Sequence, residues 1–135
     1  MDVAEALQFA AENHRAVLAT RRRDGSAQLS PVACAMNDGR IVISSRETAI
    51  KVKNLRRDPG ASLCIMNDGF YGAWVQVDGP AEIVSLPDAM DGLIEYFRQV
   101  AGEHPDWDDY RAAMERERRV LIRVTPERAG PNVSG

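Results

Sequence analysis

Apolar residues at Val3, Ala6, Leu7, Ala10 and Ala11 recur at three- and four-residue spacing, the periodicity of one helix face. Asp2 with Glu5 suits a capped start, so a helix is predicted over 3–14. The pattern then changes to strand-like apolar runs, "RAVLAT" at 15–20 and "SAQLSPVACAM" at 26–36. The Asp24-Gly25 pair between them is a hairpin signal. "NDG" at 37–39 turns the chain into a third antiparallel strand, "RIVISS", at 40–45. Helical spacing returns at Ala49, Val52 and Leu55. With Ser44 and Glu47 at the separation of a capping box and Pro59 beyond the end, it predicts a short helix over 47–58.

The second half repeats the alternation. "ASLCIM" at 61–66 is a buried strand, a second "NDG" follows at 67–69, and 71–86 supplies one long strand or two, bent near Gly79-Pro80. A helix over 87–102 carries Pro87 in its first turn. Another over 104–118 has Asp106 as N-cap, acids at its start and arginines toward its end, as the helix dipole favours. A strand at 118–125 and a tail from Pro126 close the chain. Short strands joined by hairpins, with few helices, favour an α+β, mainly β antiparallel barrel or sandwich with peripheral helices over a doubly wound parallel sheet.

Length and composition narrow this further. The 135 residues, 44% hydrophobic and 27% charged, make one globular domain over 1–135. No run reaches the roughly 18 apolar residues of a membrane span. The start, "MDVAEALQFAAENH", is acidic and amphipathic rather than signal-like, so a cytoplasmic location is expected. Cys34 and Cys64 lie in apolar runs without a CxxC partner and read as reduced core thiols. A net charge of -3 argues against nucleic-acid binding; any anion site must be local. The chain has no GxGxxG, GxxxxGK[ST], GxSxG or HExxH. His14 and His104 fall in separate elements, and Asp106, Asp108 and Asp109 suit a helix start without any ligand, so no metal site is expected.

The departure from these bland readings is "KVKNLRRDP" at 51–59. Lys51, Lys53, Arg56 and Arg57 admit two assignments, a solvated helix face or an anion site. The dipole accounts for Arg56 and Arg57 in the last turn and little for Lys51 and Lys53. Ser44, Ser45 and Thr48 lie just upstream at a strand-to-helix junction whose free amides favour an anion. Hydroxyls, amides and a lysine together compose a phosphate cradle. The hairpin adds Arg21, Arg22 and Arg23.

The stretches "VLATRRRDGSAQLSPV", "IVISSRETAIKVKNLRRDPGASL", "WVQVDGPAEIV" and "GEHPDWDDYRAAMERERRVLIRVTPER", in this order and spacing, resemble the split β-barrel flavin and deazaflavin oxidoreductases related to pyridoxamine 5'-phosphate oxidase. The likeness runs over residues 16–128 and is strongest to the branch that uses coenzyme F-420, an 8-hydroxy-5-deazaflavin. It implies a six- or seven-stranded antiparallel split barrel with peripheral helices. It also implies a homodimer with two cofactor sites at the subunit interface, and hydride transfer to a small organic acceptor. Lys51 would contact the cofactor phosphate, with Ser45 and Thr48 as hydroxyl partners. Gln28, Ser30 and Val32 would run beside the tricyclic ring, and Lys53, Arg57 and Arg21 would face its acidic oligoglutamate tail. Trp74 would come against the ring across the interface, with a place in the core as its alternative. Solvent, Tyr71 or a nearby hydroxyl would supply the acceptor's proton. The closing segment "RVTPERAGPNVSG" lacks the tryptophan and arginines that hold pyridoxal phosphate in the oxidases, so oxidation of pyridoxamine phosphate is not expected. An FMN-binding reductase or a non-catalytic deazaflavin carrier are the alternatives on the same fold.

Overall fold

The computed structural model describes residues 1–69 and 71–132. The chain runs α1 (Val3–Glu12), β1 (Arg15–Arg21), β2 (Ala27–Ala33), β3 (Ala35–Asn37), β4 (Arg40–Arg46), α2 (Ile50–Arg57), β5 (Gly60–Met66) and β6 (Trp74–Val84). It continues through α3 (Met90–Ala101), α4 (Trp107–Arg116), β7 (Arg119–Val124) and β8 (Arg128–Ala129). Asp2 caps α1, its carboxylate accepting from the Glu5 amide, and Asp106 caps α4 through the Asp109 amide, as the sequence predicts.

Seven antiparallel strands follow the path β2-β1-β5-β6-β7-β4-β3, and β8 adds to β6. The two ends of this path, β2 and β3, are consecutive in the chain, so the sheet curls back toward itself as a split barrel. The predicted strand at 26–36 breaks at Cys34 because that residue's backbone turns to His14. The Cys34 amide donates to the His14 carbonyl, and His14 Nδ1 donates to the Cys34 carbonyl at 2.8 Å.

Strand β6 is the hinge of the sheet. Residues 74–80 pair with β5, and Ala81 to Val84 pair with β7. The change of partner falls at Gly79-Pro80, where proline lacks the amide a central ladder needs. A Cβ on Gly79 would stand 1.9 Å from the Thr125 carbonyl oxygen.

One core fills the barrel. It joins Leu18, Ile41, Ile43, Leu63, Ile65, Val75, Val77 and Ile122 to Ala6 and Ala10 of α1 and Val52 and Leu55 of α2. A second core holds α3 and α4 on Val42, Leu121 and Ala35. "GEHPDWDDYR" is the clamp of that layer. Trp107 Nε1 donates to Glu103, the Tyr110 hydroxyl donates to the Leu93 carbonyl, and the Arg98 guanidinium lies 4.9 Å over the Trp107 ring. The outward side chains Val17, Leu29, Pro31, Cys64, Met66 and Trp74 join neither core.

Three expectations are corrected. Helix α2 begins at Ile50 with Ala49 as an N-cap that makes no side-chain bond; Ser44 is held in β4, and Glu47 pairs with Arg56 at 3.5 Å rather than closing a capping box. The tail contributes a strand, β8, through Arg128 and Ala129 opposite Asp78 and Val77. Cys34 is fully buried, which pushes its thiol up to about 12, whereas Cys64 is only half-buried on the outer face. Its neighbours there are Val17 and Gln76, where strand alternation, not depth, places it.

Gly79→Ala is expected to cost about 1–3 kcal/mol, the usual penalty for forcing an extra carbon into packed backbone. Denaturant unfolding should show a lower midpoint at unchanged slope.

Candidate cofactor site

The segment from Ser45 to Lys51 carries β4 into α2. The amides of Ile50 and Lys51 lie in the first turn, ahead of the helix's internal ladder. Thr48 is exposed beside them, while Ser45 is buried at 2% exposure and donates to the Arg46 carbonyl. Ser45 therefore faces the barrel interior and Thr48 the open side of the turn.

Lys51 is half-buried and makes no ion pair among the described residues. Desolvation, and then the positive charge of Arg119, holds its ammonium below the ordinary lysine range. Arg119 lies directly opposite Arg46 in the β4–β7 ladder, a like-charge pair that is unfavourable by itself. Both reach one carboxylate oxygen, Glu117 Oε1, from Arg119 at 2.9 Å and from Arg46 at 3.4 Å. Two arginines thus share one carboxylate and Lys51 has none, leaving an excess of positive charge beside free amides at a helix start. Sequence reading missed Arg46 and Arg119, because only the strand register sets them opposite each other and brings Arg119 near Lys51.

Helix α2 is fixed to the barrel by buried polar contacts. Asn54 Nδ2 donates to Thr20 Oγ1 at 3.1 Å, and the Arg57 guanidinium donates to Asn54 Oδ1 and to the Arg21 carbonyl. Thr20 donates to Gln28 Oε1 at 3.1 Å, and Gln28 Nε2 donates to Ser30 Oγ at 3.0 Å. Gln28, Ser30 and Val32 share the inward side of the edge strand β2, opposite Thr20, Leu18 and Ala16, and Val32 packs on the barrel core. The structure thereby ties the predicted strand residues to the predicted helix.

Two predicted residues, Lys53 and Trp74, stand apart from this cluster. Lys53 is exposed on α2, and Arg56 is engaged with Glu47. Trp74 begins β6, six residues before Pro80 and hence about 20 Å along the strand from the end where α2 packs. Within one chain it does not meet Lys51. It lines an apolar groove of about 270 Å³ on the outer face with Cys64, Met66 and Tyr71. Among the described residues no group of three or more His, Cys, Asp or Glu converges.

The arrangement suits an anion at the α2 start. Because the Lys51 proton leaves at lower pH than in an unfolded chain, affinity for inorganic pyrophosphate should fall as pH rises through that lowered value, by at most about tenfold per unit for one proton. Lys51→Arg should flatten the alkaline fall, since guanidinium stays charged. Isothermal titration across an alkaline pH series checks this; identical profiles for the two proteins would remove Lys51 from the site.

Comparison with known proteins bears on the whole chain. Residues 3–131 match the family described as Pyridoxamine 5'-phosphate oxidase. Among solved structures, a conserved hypothetical protein from Mycobacterium tuberculosis is 27% identical at a TM-score of 0.76, over 96% of this chain and 82% of that one. A protein described as an F-420 reductase is 21% identical at 0.71, over 91% and 94%. A heme binding protein from Mycobacterium smegmatis is 22% identical at 0.73, over 98% of this chain and 54% of that one. The different descriptions on one fold mean that ligand choice resides in the site residues. With the family match spanning nearly every residue and the curled antiparallel sheet agreeing with it, the chain belongs to the pyridoxamine 5'-phosphate oxidase family of split-barrel proteins.

Proposed function

We propose that this protein is an oxidoreductase that binds coenzyme F-420 and passes hydride between it and a small conjugated acceptor, acting as a homodimer. The observation that carries the reading is the uncompensated charge of Lys51 at the start of α2, set beside Arg119 of β7. A half-buried ammonium held next to a guanidinium, with no carboxylate of its own, is stabilised by a phosphate placed on that turn. When bound, the deazaflavin supplies the hydride chemistry. Lys51, Thr48 and the first amides of α2 hold the phosphate, and β2 offers Gln28, Ser30 and Val32 along the edge where a flat ring lies. Lys53 and Arg21, both exposed, face an acidic tail that FMN lacks.

The dimer rests on the outer sheet face. Leu29 is 62% and Tyr71 80% exposed there, beside the groove lined by Met66 and Trp74. A second copy seated on this face buries those side chains and brings its own Trp74 toward the ring, a place one chain does not give it. Tyr71 and solvent are the proton sources in reach of the same face.

Equilibrium titration of tryptophan fluorescence with F-420 and with FMN tests the reading. F-420 should bind in preference, and Lys51→Ala should weaken it at least about tenfold, as expected for a charge-assisted phosphate contact of about 1.4 kcal/mol or more. Lys53→Ala should weaken F-420 several-fold and leave FMN unchanged. Preference for FMN would move the assignment to a flavin reductase. Tight binding without turnover of a panel of conjugated acceptors would make the protein a carrier.

A further inference from the structure

The polar contacts between α2 and β2 form a chain whose direction is fixed. Arg57 at one end is a donor only, so the Asn54 oxygen must face it at 3.2 Å and the Asn54 amide nitrogen must face Thr20. The Leu29 carbonyl at the other end is an acceptor only, so Gln28 Nε2, which donates to it at 3.0 Å, is the nitrogen, and Gln28 Oε1 faces Thr20. Thr20, with one hydrogen, accepts from Asn54 and donates to Gln28. Gln28 Nε2 in turn donates to Ser30 Oγ at 3.0 Å. Asn54 and Thr20 are buried, at 5% and 1% exposure, so water does not scramble the order.

The consequence falls on Ser30. Its oxygen has accepted from Gln28, and its one hydrogen meets no acceptor among the hydrogen bonds of the described residues. Ser30 is half-buried on β2, an edge strand of the sheet path. We propose that Ser30 donates its free hydrogen to the ligand, its oxygen held by the relay Arg57–Asn54–Thr20–Gln28, and that the ring it meets presents an acceptor there, a carbonyl oxygen or an unprotonated ring nitrogen. This rests on the cofactor reading given above and sharpens it. Arg57 becomes a positioning residue, committed to Asn54 and to the Arg21 carbonyl, rather than a contact for an acidic tail. The relay also couples the two halves of the site. Asn54 lies three residues from Lys51 on α2, so the helix that offers the phosphate turn sets the polarity of the strand beside the ring.

Two measurements test this, one without ligand. In the unliganded protein, the side-chain amides of Asn54 and Gln28 should be protected from hydrogen exchange by NMR, and Thr20→Val should abolish that protection; solvent-rate exchange in wild type would overturn the relay. With F-420 or FMN as probe, the absorption band of the bound ring should be displaced from its position in water. Ser30→Ala should return the band toward that position and weaken binding roughly five- to tenfold. Thr20→Val, with Ser30 intact, should give part of the same loss. A band and affinity unchanged in Ser30→Ala would overturn the donor assignment. Protected amides in a protein that binds neither probe would defeat the cofactor reading and, with it, the ligand assigned to Ser30, while leaving the relay standing. Should Thr20→Val fail to fold, Ser30→Ala at its half-buried edge position carries the optical test alone.

Discussion

One strand serving two partners is the constraint on which the fold depends. Strand β6 leaves β5 and joins β7 at Gly79-Pro80, and the Thr125 backbone comes so near Gly79 that a side chain there has no space. Without that close approach the strands on either side would form two open sheets, with two more edges to protect. With it they form one curled path. The curl sets β7 beside β4, so Arg119 stands against Arg46 and beside Lys51, and it leaves α2 packed across β1 and β6 at the end of the barrel.

The site is electrostatically unusual for an acidic chain. Most of its ion pairs are exposed, such as Arg15 with Asp68 and Arg111 with Asp108, and contribute little to stability. Around α2 the balance differs. Glu117, held below the ordinary carboxylate range by its hydrogen bond from Arg119, is shared by two arginines, and Lys51 gains nothing from it. Buried polar groups such as Thr20 and Asn54 are tolerated because each meets a partner; they fix the angle of α2 where apolar contacts alone would let it slide.

Much of this was legible in the sequence and some was not. The helix and strand runs, the Asp2 and Asp106 caps and the bend at Gly79-Pro80 follow from local chemistry, which turn and cap residues record directly. Lys51 and Thr48 stood out because hydroxyls and a lysine at a strand-to-helix junction compose an anion site by themselves. Arg119 and Arg46 did not, since a pair across a ladder is set by register and leaves no trace in spacing. Arg57 read as an exposed cation because one of its acceptors, the Arg21 carbonyl, is supplied by tertiary packing and leaves no trace in local spacing. The Ser44–Glu47 spacing suggested a capping box, yet β4 continued through Arg46 and held Ser44 in its ladder with β7, a long-range pairing that outweighs a local cap.

The central claim is that the start of α2 holds the phosphate of a deazaflavin. A crystal structure of the protein with F-420 tests it most directly: the account predicts the phosphate on the turn at 48–51, within hydrogen-bonding distance of Lys51 Nζ, and the ring along β2. Phosphate density elsewhere on the barrel, with Lys51 untouched, would contradict it.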